Sequence, residues 1–337
     1  LHTDVEPRFV PLTEGSWTLE EGTTQSTLTV TAIAADQVPF QNLMYQPNHS
    51  LLIVGDELWV ANAITPNIGR FDAESGVAKA PIHVGSWPVA LGHAPSLSKV
   101  IVAQAGNDTI GIIDTQTQAL IDTIWVGDEP ASVVVDDAAS TAYVSLETEH
   151  SIAVIDLEGH EVTHRLEAPR GPRALALTED GQTLIAAGHR TGQADRYPYA
   201  DDESDQTDIE AIDVDSKEVI WTIEEAGNII TDVLVDDDAQ KVWVLSTVAF
   251  PERGLVTLDS PPFESQVQEY DLATGEWLRT TVLGPAQPGE GFVLGPQALT
   301  QHDDIIWVVA QDSELLIGLD SEAMSEVARV STPGGPR

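Results

Sequence analysis

The chain repeats itself, and this repeat constrains its fold more than any other feature. The stretches "VGSWPVAL", "VGDEPASV", "PRGPRALA" and "LGPQALT" align on a shared proline, with steps of about 42 residues in the most regular part. The recurring position is occupied, in chain order, by Pro39, Pro88, Pro130, Pro172, Ile230, Pro296 and Pro336. A repeat of this length indicates one supersecondary unit that buries its apolar face against copies of itself.

Each unit contains four short apolar runs separated by turn residues. In residues 127–156 the first three are visible as "PASVVVD", "TAYVSL" and "SIAVID". Such runs are typical of strands, and four strands per unit of this length predict the blade of a β-propeller. This segment resembles the YVTN class of β-propeller repeats, and the resemblance spans nearly the whole chain. It implies an all-β fold and leaves the function open, because propellers serve many unrelated tasks.

We expect one β-propeller domain over residues 1–337. Its successive blades are predicted at 38–85, 86–127, 128–169, 170–227, 228–288 and 289–334. Residues 16–34 have the form of a third strand, a turn and a fourth strand, with no inner strands before them. A ring closes most securely when both termini share one blade, so these are predicted to be outer strands whose partners follow Arg337. We therefore favour seven blades, the last incomplete in this chain; six complete blades is the alternative.

The charge balance and the absence of cysteine exclude several classes of function. Against 15 Lys and Arg stand 55 Asp and Glu, a formal net charge of -40. Such a surface repels nucleic acid and anionic lipid, and it favours a saline setting where salt screens its self-repulsion. Without cysteine there are no disulfides, thiolate metal sites or covalently attached c-type haem. No apolar stretch is long enough to predict insertion into a membrane.

Three connections are longer than the repeat requires. They are predicted as loops at 189–208, 247–264 and 284–297. Strands within a blade alternate in direction, so all three loops emerge on the same face, on neighbouring blades. Long loops of this kind are usually functional or disordered. We therefore expect ligands or partners to bind this face.

Several arginines are predicted on the same face, in a chain that is otherwise acidic. The candidate residues for a ligand or partner are Trp87, Glu129, Arg170, Arg173, His189, Arg190, Arg196, Arg253 and Gln297. Forked arginine hydrogen bonds suit a carboxylate or phosphate ligand. The alternative, which we favour, is internal pairing of these arginines with the carboxylates of the first long loop.

The first long loop, with its run "ADDESDQTD", is also a candidate calcium site. Its oxygen ligands would be Asp201, Asp202, Glu203, Asp205 and Asp208. Carboxylates suit a hard cation, but the run lacks the glycine and the closing glutamate of a helical calcium loop. A solvated charge run is therefore the favoured interpretation.

Other conspicuous residues are predicted to be structural. Each third strand ends in an aspartate expected to cap the following turn, at Asp72, Asp114, Asp156, Asp213, Asp271 and Asp320. Packing between blades is expected of six tryptophans: Trp59, Trp125, Trp221, Trp243, Trp277 and Trp307. Trp87 stands at a channel entrance, where stacking on a ligand is the alternative to packing. No hydrolase or phosphate-binding motif is present.

The placement of the long loops resembles one bacterial group of YVTN propellers. Those proteins often continue into a di-haem domain similar to cytochrome c peroxidases, or act beside redox enzymes outside the cytoplasm. The resemblance implies an extracytoplasmic protein, periplasmic or secreted, with a protein partner or a further C-terminal domain. Because the chain carries no CxxCH and no signal peptide, we expect a mature or excised segment, with any haem in a missing segment or a partner.

The sequence thus predicts a non-catalytic binding or docking module without a cofactor of its own, calcium excepted. Two alternatives remain open at this point. One is a lactonase-like propeller hydrolase, which the arginines and histidines of the loop face would permit. The other is a surface-layer or adhesion module.

Overall fold

The computed structural model describes residues 15–21, 24–30, 49–188, 207–227, 229–249, 263–284, 295–310 and 313–331. The chain divides into two compact units, Leu1–Leu43 and Met44–Arg337. In the first unit, β1 (Gly15–Glu21) and β2 (Thr24–Val30) form a two-stranded antiparallel sheet. Trp17 lies opposite Leu28 in its register.

The second unit begins with three sheets of four strands each. Blade 1 consists of β3 (Leu51–Val54), β4 (Glu57–Asn62), β5 (Asn67–Asp72) and β6 (Ala78–His83). Blade 2 consists of β7 (Pro88–Ala94), β8 (Lys99–Gln104), β9 (Thr109–Asp114) and β10 (Ala119–Trp125). Blade 3 consists of β11 (Pro130–Asp136), β12 (Thr141–Leu146), β13 (Ser151–Asp156) and β14 (Glu161–Glu167).

Three further sheets repeat the same order. Blade 4 consists of β15 (Pro172–Leu177), β16 (Thr183–Gly188), β17 (Thr207–Asp213) and β18 (Val219–Gly227). Blade 5 consists of β19 (Ile229–Asp236), β20 (Lys241–Ala249), β21 (Phe263–Asp271) and β22 (Trp277–Val282). Blade 6 consists of β23 (Pro296–His302), β24 (Ile305–Ala310), β25 (Leu315–Asp320) and β26 (Glu326–Ser331). Within these ranges the only helical segments are the 3-10 turns Pro95–Leu97 and Ala105–Asn107, so no described helix has the length or apolar composition of a membrane span.

Every sheet is an antiparallel meander in chain order, and consecutive inner strands lie side by side from β3 and β7 through to β19 and β23. This arrangement is a β-propeller, as the repeat predicted. The six complete blades agree with the alternative blade number. The seventh blade stays a prediction, because Pro39 and the segment after Ser331 lie outside the described residues.

The core lies between the blades, because alternate residues of a strand point to opposite faces of its sheet. Val133 and Val144 of blade 3 pack towards blade 2. Tyr143 and Ile152 of the same blade pack towards blade 4, against Leu175 among others. Both faces of an interior blade are therefore apolar, which explains the continuous apolar runs in the sequence.

The aspartates at the ends of the third strands cap turns, as predicted. Asp114 Oδ1 accepts hydrogen bonds from the backbone N–H of Thr117 at 2.6 Å and from its hydroxyl at 2.8 Å. Backbone N–H groups donate in the same way to the other five aspartates. Hydrogen bonds to the carboxylate lower its pKa, a shift resolved at Asp72, Asp114, Asp156, Asp213 and Asp271.

The tryptophans only partly follow the predicted packing. Trp59, Trp221 and Trp243 are buried. Trp125 and Trp277, in contrast, are 65% and 58% exposed, so the prediction of packing between blades is wrong for them. Both are on outermost strands. Trp221, also on an outermost strand, differs because it packs against blade 5 and its indole N–H donates to the carbonyl of Leu272. Trp125 instead lies under the Arg165 guanidinium, 5.9 Å from its ring centroid.

Buried charges flank two of the buried tryptophans. In blade 1, Glu57 accepts from the indole N–H of Trp59 at 2.9 Å and pairs with Arg70 and Lys79. In blade 5, Glu269 accepts from Trp243 at 3.4 Å and pairs with Lys241 and Arg279. Each carboxylate is thus compensated by two cations and an indole N–H, which makes its burial tolerable.

Candidate binding face

The strand order brings the ends of all three long connections to one face of the propeller. Each connection joins either a second strand to a third strand or one blade to the next, and antiparallel pairing directs both kinds to the same side. We call this side the insert face. Its described residues are 63–66, 84–87, 105–108, 126–129, 147–150, 168–171 and 313–314, together with the strand ends that flank the three inserts.

The predicted loop bounds need correction, because strand pairing continues into all three segments. The first loop ends before Thr207, where β17 begins, and the third ends before Pro296, where β23 begins. In the second, β20 and β21 extend the ladder through the pairs Thr247↔Ser265, Val248↔Glu264 and Ala249↔Phe263. The remaining inserts, 189–206, 250–262 and 285–294, lie outside the described residues.

One residue with a left-handed backbone precedes the inner strand in four blades. Trp87, Glu129, Gly171 and Gly295 have φ of 51°, 55°, 63° and 62°, and a proline follows each of them. A left-handed residue turns the chain from the outermost strand of one blade into the innermost strand of the next. Glycine adopts this conformation without strain, whereas tryptophan and glutamate do not. The positions of Trp87 and Glu129 on the face are therefore set by backbone geometry.

Trp87 is the exposed aromatic residue at one of these entrances. Its backbone carbonyl accepts from the N–H of Ala105 at 2.9 Å, which holds the β8–β9 connection against the entrance to blade 2. The residue is 49% exposed, so the packing we favoured for it covers only half of its surface. Stacking of Trp87 on a ligand stays a prediction.

Glu129 belongs to an acidic group at the junction of blades 2 and 3. Its carboxylate accepts a hydrogen bond from the hydroxyl of Thr148, and its N–H faces Asp108 Oδ1 at 3.4 Å. The neighbouring Asp128 N–H donates to Glu149 at 2.9 Å. Burial raises the pKa of Asp128, and the carboxylates of Asp108, Glu129 and Glu149 raise it further. This part of the face is therefore crowded with negative charge.

Arg173 of blade 4 is buried and faces a carboxylate from the preceding blade. Its Nη1 lies 3.7 Å from Oε2 of Glu147 at the end of β12. Burial raises the pKa of Glu147, and the charge of Glu129 raises it further. The charge of Arg173 lowers this pKa but does not outweigh the burial. The described partner of Arg173 is therefore Glu147, which does not belong to the first long loop, and the predicted pairing of the arginines with the carboxylates of that loop stays a prediction. Arg170 lies exposed three residues earlier in the chain.

His150 positions the entrance to blade 4. Its Nδ1 accepts the backbone N–H of Gly171 at 3.0 Å, in the tautomer that carries its proton on Nε2. A side chain at position 188, at the end of β16, would collide with the Thr207 hydroxyl and with the carbonyl of Arg170. The base of the first insert is therefore tightly packed between Arg170 and β17.

Several predicted site residues lie outside the described residues, and their arrangement stays a prediction. These are His189, Arg190, Arg196 and Arg253, together with the calcium candidates Asp201, Asp202, Glu203 and Asp205.

The last two candidates, Asp208 and Gln297, are strand residues and not loop residues. Asp208 lies in β17, and its Oδ1 accepts the backbone N–H of Glu225 at 3.0 Å. Gln297 lies half-buried in β23. Within the described ranges, no group of three or more His, Cys, Asp or Glu side chains is placed to hold a metal ion.

Sequence reasoning missed the acidic side of this face. Asp108, Asp128, Glu147 and Glu149 were passed over because a single acidic residue carries little information in so acidic a chain. Their position in the repeat could have revealed them: "GDEP" lies in a blade-to-blade connection and "ETEH" in a connection between a second and a third strand, and both kinds of connection lie on the insert face. Together with Glu129, these residues suit a basic surface or a hydrogen-bond donor.

Comparison of the sequence with protein-family models and with curated proteins gives no match. The structure, in contrast, is similar to 1516 solved chains, so the fold is common. One of them belongs to the hydrazine synthase of Kuenenia stuttgartiensis, with a TM-score of 0.73 over 88% of this chain and 90% of that chain. At 18% identity, this likeness establishes the β-propeller fold alone.

Proposed function

We propose that the chain is a non-catalytic binding or docking module that acts through the insert face. The observation that carries this proposal is the position of the three inserts, which leave one face at the consecutive blades 4, 5 and 6. Their flanks are anchored in regular antiparallel ladders, so the inserts stand on a rigid base. Binding residues are commonly found on loops that a rigid fold positions.

We further propose that the partner belongs to redox chemistry outside the cytoplasm. This part rests on the resemblance of the repeat and its long loops to extracytoplasmic YVTN propellers associated with cytochrome-type proteins. The similar solved structure is named for a hydrazine synthase, and it shares with this chain the fold only. The charge of -40 and the acidic group beside Glu129 favour a partner with a basic surface.

The test replaces the inserts one at a time with short Gly-Ser linkers, at 189–206, 250–262 and 285–294. Each purified variant is used to capture proteins from the native extracytoplasmic fraction, and bound proteins are identified by mass spectrometry and haem absorbance. We expect a basic haem protein to bind the wild type and to be lost from at least one variant. The matched control is a linker at the opposite-face turn 115–118, which should bind like the wild type.

Equal capture by the control and all insert variants would contradict the proposal. Turnover of lactones by the wild type, lost when Arg173, His189 and Arg190 are replaced together, would favour the hydrolase instead. Ordered self-association that a calcium chelator reverses, measured by light scattering, would favour the surface-layer alternative.

A further inference from the structure

The innermost strand of each blade has one free edge, and these edges line the central channel of the ring. Successive backbone N–H groups of a strand point alternately to its two edges. One position whose N–H points to the channel lies opposite the fourth residue of the second strand. In blades 2 to 6 it is occupied by Leu91, Val133, Leu175, Val233 and Leu299.

Three of these N–H groups have an acceptor within the protein. Leu91 donates to the carbonyl of His49 at 3.0 Å. Val233 and Leu299 both donate to the fully buried Asp232, the first to Oδ1 at 2.9 Å and the second to Oδ2 at 2.7 Å. At the junction of blades 5 and 6, one carboxylate therefore bridges the N–H groups of two neighbouring inner strands.

Val133 and Leu175 form the corresponding pair at the junction of blades 3 and 4. The N–H of Ser132 donates to Ser145 Oγ in β12 at 2.9 Å, so the next N–H, that of Val133, points away from β12 and towards the channel. Leu175 has the same register in blade 4, opposite Ala186. Val133 is 2% exposed and Leu175 0%, and neither N–H has an acceptor among the described residues. Because buried N–H groups are almost always paired in folded proteins, this pair needs an acceptor that the described chain does not supply.

Ser132 occupies the position that Asp232 has in blade 5. Ala90 and Ala174, at the same position in blades 2 and 4, pack towards the following blade, so Ser132 faces blade 4 as Asp232 faces blade 6. Ser132 is fully buried, and its Oγ has no hydrogen-bond partner among the described residues. The junction of blades 3 and 4 therefore holds a hydroxyl beside the two N–H groups, in place of a carboxylate.

A basic residue lies near each of the two junctions. His49 Nε2 is 3.2 Å from Asp232 Oδ1. Arg173 precedes Leu175 by two residues, about 7 Å along β15, and is buried against blade 3. The charge of Arg173 can therefore act on an anion bound at this junction as well as on Glu147, its described partner.

We propose that the junction of blades 3 and 4 binds a small carboxylate anion in the channel. Its two oxygens accept the N–H groups of Val133 and Leu175, as the two oxygens of Asp232 do at the next junction but one. The hydroxyl of Ser132 donates a third hydrogen bond. A carboxylate supplies two acceptor oxygens at the required spacing, whereas a water molecule supplies one. The inference rests on the comparison between blades and not on the proposed docking role of the insert face.

The test is an NMR titration of the full-length, isotope-labelled protein with sodium formate. The amide signals of Val133 and Leu175 should shift and saturate together, because both N–H groups donate to the same anion. Those of Val233 and Leu299 should not shift, since Asp232 already accepts their hydrogen bonds. A parallel titration with NaCl separates formate binding from the effects of ionic strength and of halide.

Variants at position 132 locate the site. Ser132→Asp should place a carboxylate of the chain itself on the two N–H groups, as Asp232 does, and weaken formate binding by about ten-fold or more. The matched control Ser325→Asp adds the same charge at an exposed serine between β25 and β26 and should bind formate like the wild type. Ser132→Ala should fold, because Ala90 and Ala174 occupy the same position, and should bind formate several-fold more weakly through the remaining N–H groups.

Three results would overturn the proposal. Absence of saturable shifts at Val133 and Leu175 would leave water as their acceptor. Equal shifts with NaCl would assign the junction to a halide ion. Equal formate affinities of the wild type, Ser132→Asp and Ser132→Ala would show that formate binds elsewhere.

Discussion

In blade 1, the buried Arg70 donates two hydrogen bonds to Glu57, from Nε to Oε2 at 2.8 Å and from Nη2 to Oε1 at 2.7 Å. The equivalent ladder positions in blade 5 hold Lys241 and Glu269, so the same two sites carry an ion pair with its charges exchanged. Arg279 lies opposite Glu269 as Lys79 lies opposite Arg70. The fold thus accepts either polarity, provided that both partners are present.

The exchanged pair can be transferred from blade 5 to blade 1. Arg70→Glu alone places two carboxylates together and should lower the free energy of unfolding by about 3–5 kcal/mol, the usual cost of breaking a buried pair. Glu57→Lys combined with Arg70→Glu should recover most of that loss, because Lys79 and Trp59 then stand where Arg279 and Trp243 stand in blade 5. Urea denaturation of the wild type, the single variant and the double variant measures this. A double variant no more stable than Arg70→Glu would contradict the equivalence.

The turn aspartates make stability dependent on acid pH. Hydrogen bonds lower the pKa of Asp114 and its four counterparts in the folded chain, so these carboxylates contribute fully to the stability of the fold above the ordinary aspartate pKa of about 3.9. This stabilisation is lost as pH falls through the lowered pKa values of the folded chain. We expect replacement of all five by asparagine to flatten the fall in melting temperature between about pH 4 and pH 2. An equally steep fall in that variant would contradict the assignment.

Because the backbone of Trp87 is left-handed, glycine and alanine variants at this position can distinguish a structural role from a binding role. Trp87→Gly should unfold at the same urea concentration as the wild type or a higher one, because Gly171 and Gly295 occupy the equivalent position. Trp87→Ala should be less stable than Trp87→Gly by about 1 kcal/mol, because its Cβ meets the strain of positive φ. If Trp87 also stacks on a partner, both variants should bind that partner more weakly and to a similar degree. Equal stability of the alanine and glycine variants would disprove the backbone argument.

His49 and Asp232 link blade 1 to blade 5, with Nε2 and Oδ1 3.2 Å apart. Burial lowers the pKa of His49, but the charge and hydrogen bond of Asp232 outweigh it and raise the pKa overall. The stabilisation is therefore complete below the unfolded pKa of about 6.5 and is lost as pH rises through the higher folded value. The stability difference between wild type and His49→Gln should shrink from pH 5.5 to pH 8. A constant difference across this range would contradict the charged pair.

The excess of acidic residues should make the fold depend on salt. At a net charge of -40, self-repulsion opposes the compact state, and added ions screen it. We expect the melting temperature to rise between about 0.1 M and 1 M NaCl, with most of the rise where the Debye length falls below about 8 Å. Because sodium sulfate also strengthens apolar burial, NaCl is the cleaner probe. A melting temperature independent of NaCl would contradict salt adaptation.

Most of the fold could be predicted from the sequence repeat. Proline at the strand entrance and aspartate at the end of the third strand recur because the blades share two backbone requirements. One is a left-handed residue before the inner strand, seen in four blades, and the other is a capped turn after the third strand, seen in all six described blades. Loop bounds were less accurate, since hydrogen bonding between β20 and β21 continues past the repeat and composition does not reveal it. The exposure of Trp125 and Trp277 was not predicted, because burial of a tryptophan on an outermost strand depends on contacts from the neighbouring blade, such as the one between Trp221 and Leu272, which no pattern within one repeat contains.

The candidate face was predicted better in its location than in its chemistry. Chain topology alone places Trp87, Glu129 and Arg173 on one side. The pairing of Arg173 with Glu147 depends on a distance between adjacent blades, which no pattern within one repeat contains. The role of Asp232 could not be predicted either. Its fully buried carboxylate accepts hydrogen bonds from the backbone N–H groups of Val233 and Leu299, and the corresponding position in blades 2, 3, 4 and 6 holds no acidic residue.

The extension of β20 and β21 distinguishes blade 5 from blades with shorter second strands. Three additional residue pairs carry this ladder about 10 Å past the level at which β8, β12 and β16 end. A ring of similar blades offers a docking molecule several nearly equivalent orientations about its axis, and in the part of the chain that the structure describes this extended ladder breaks that equivalence. A partner seated beside it can therefore adopt one rotational setting, which would keep any group that it carries at a constant distance from blade 5.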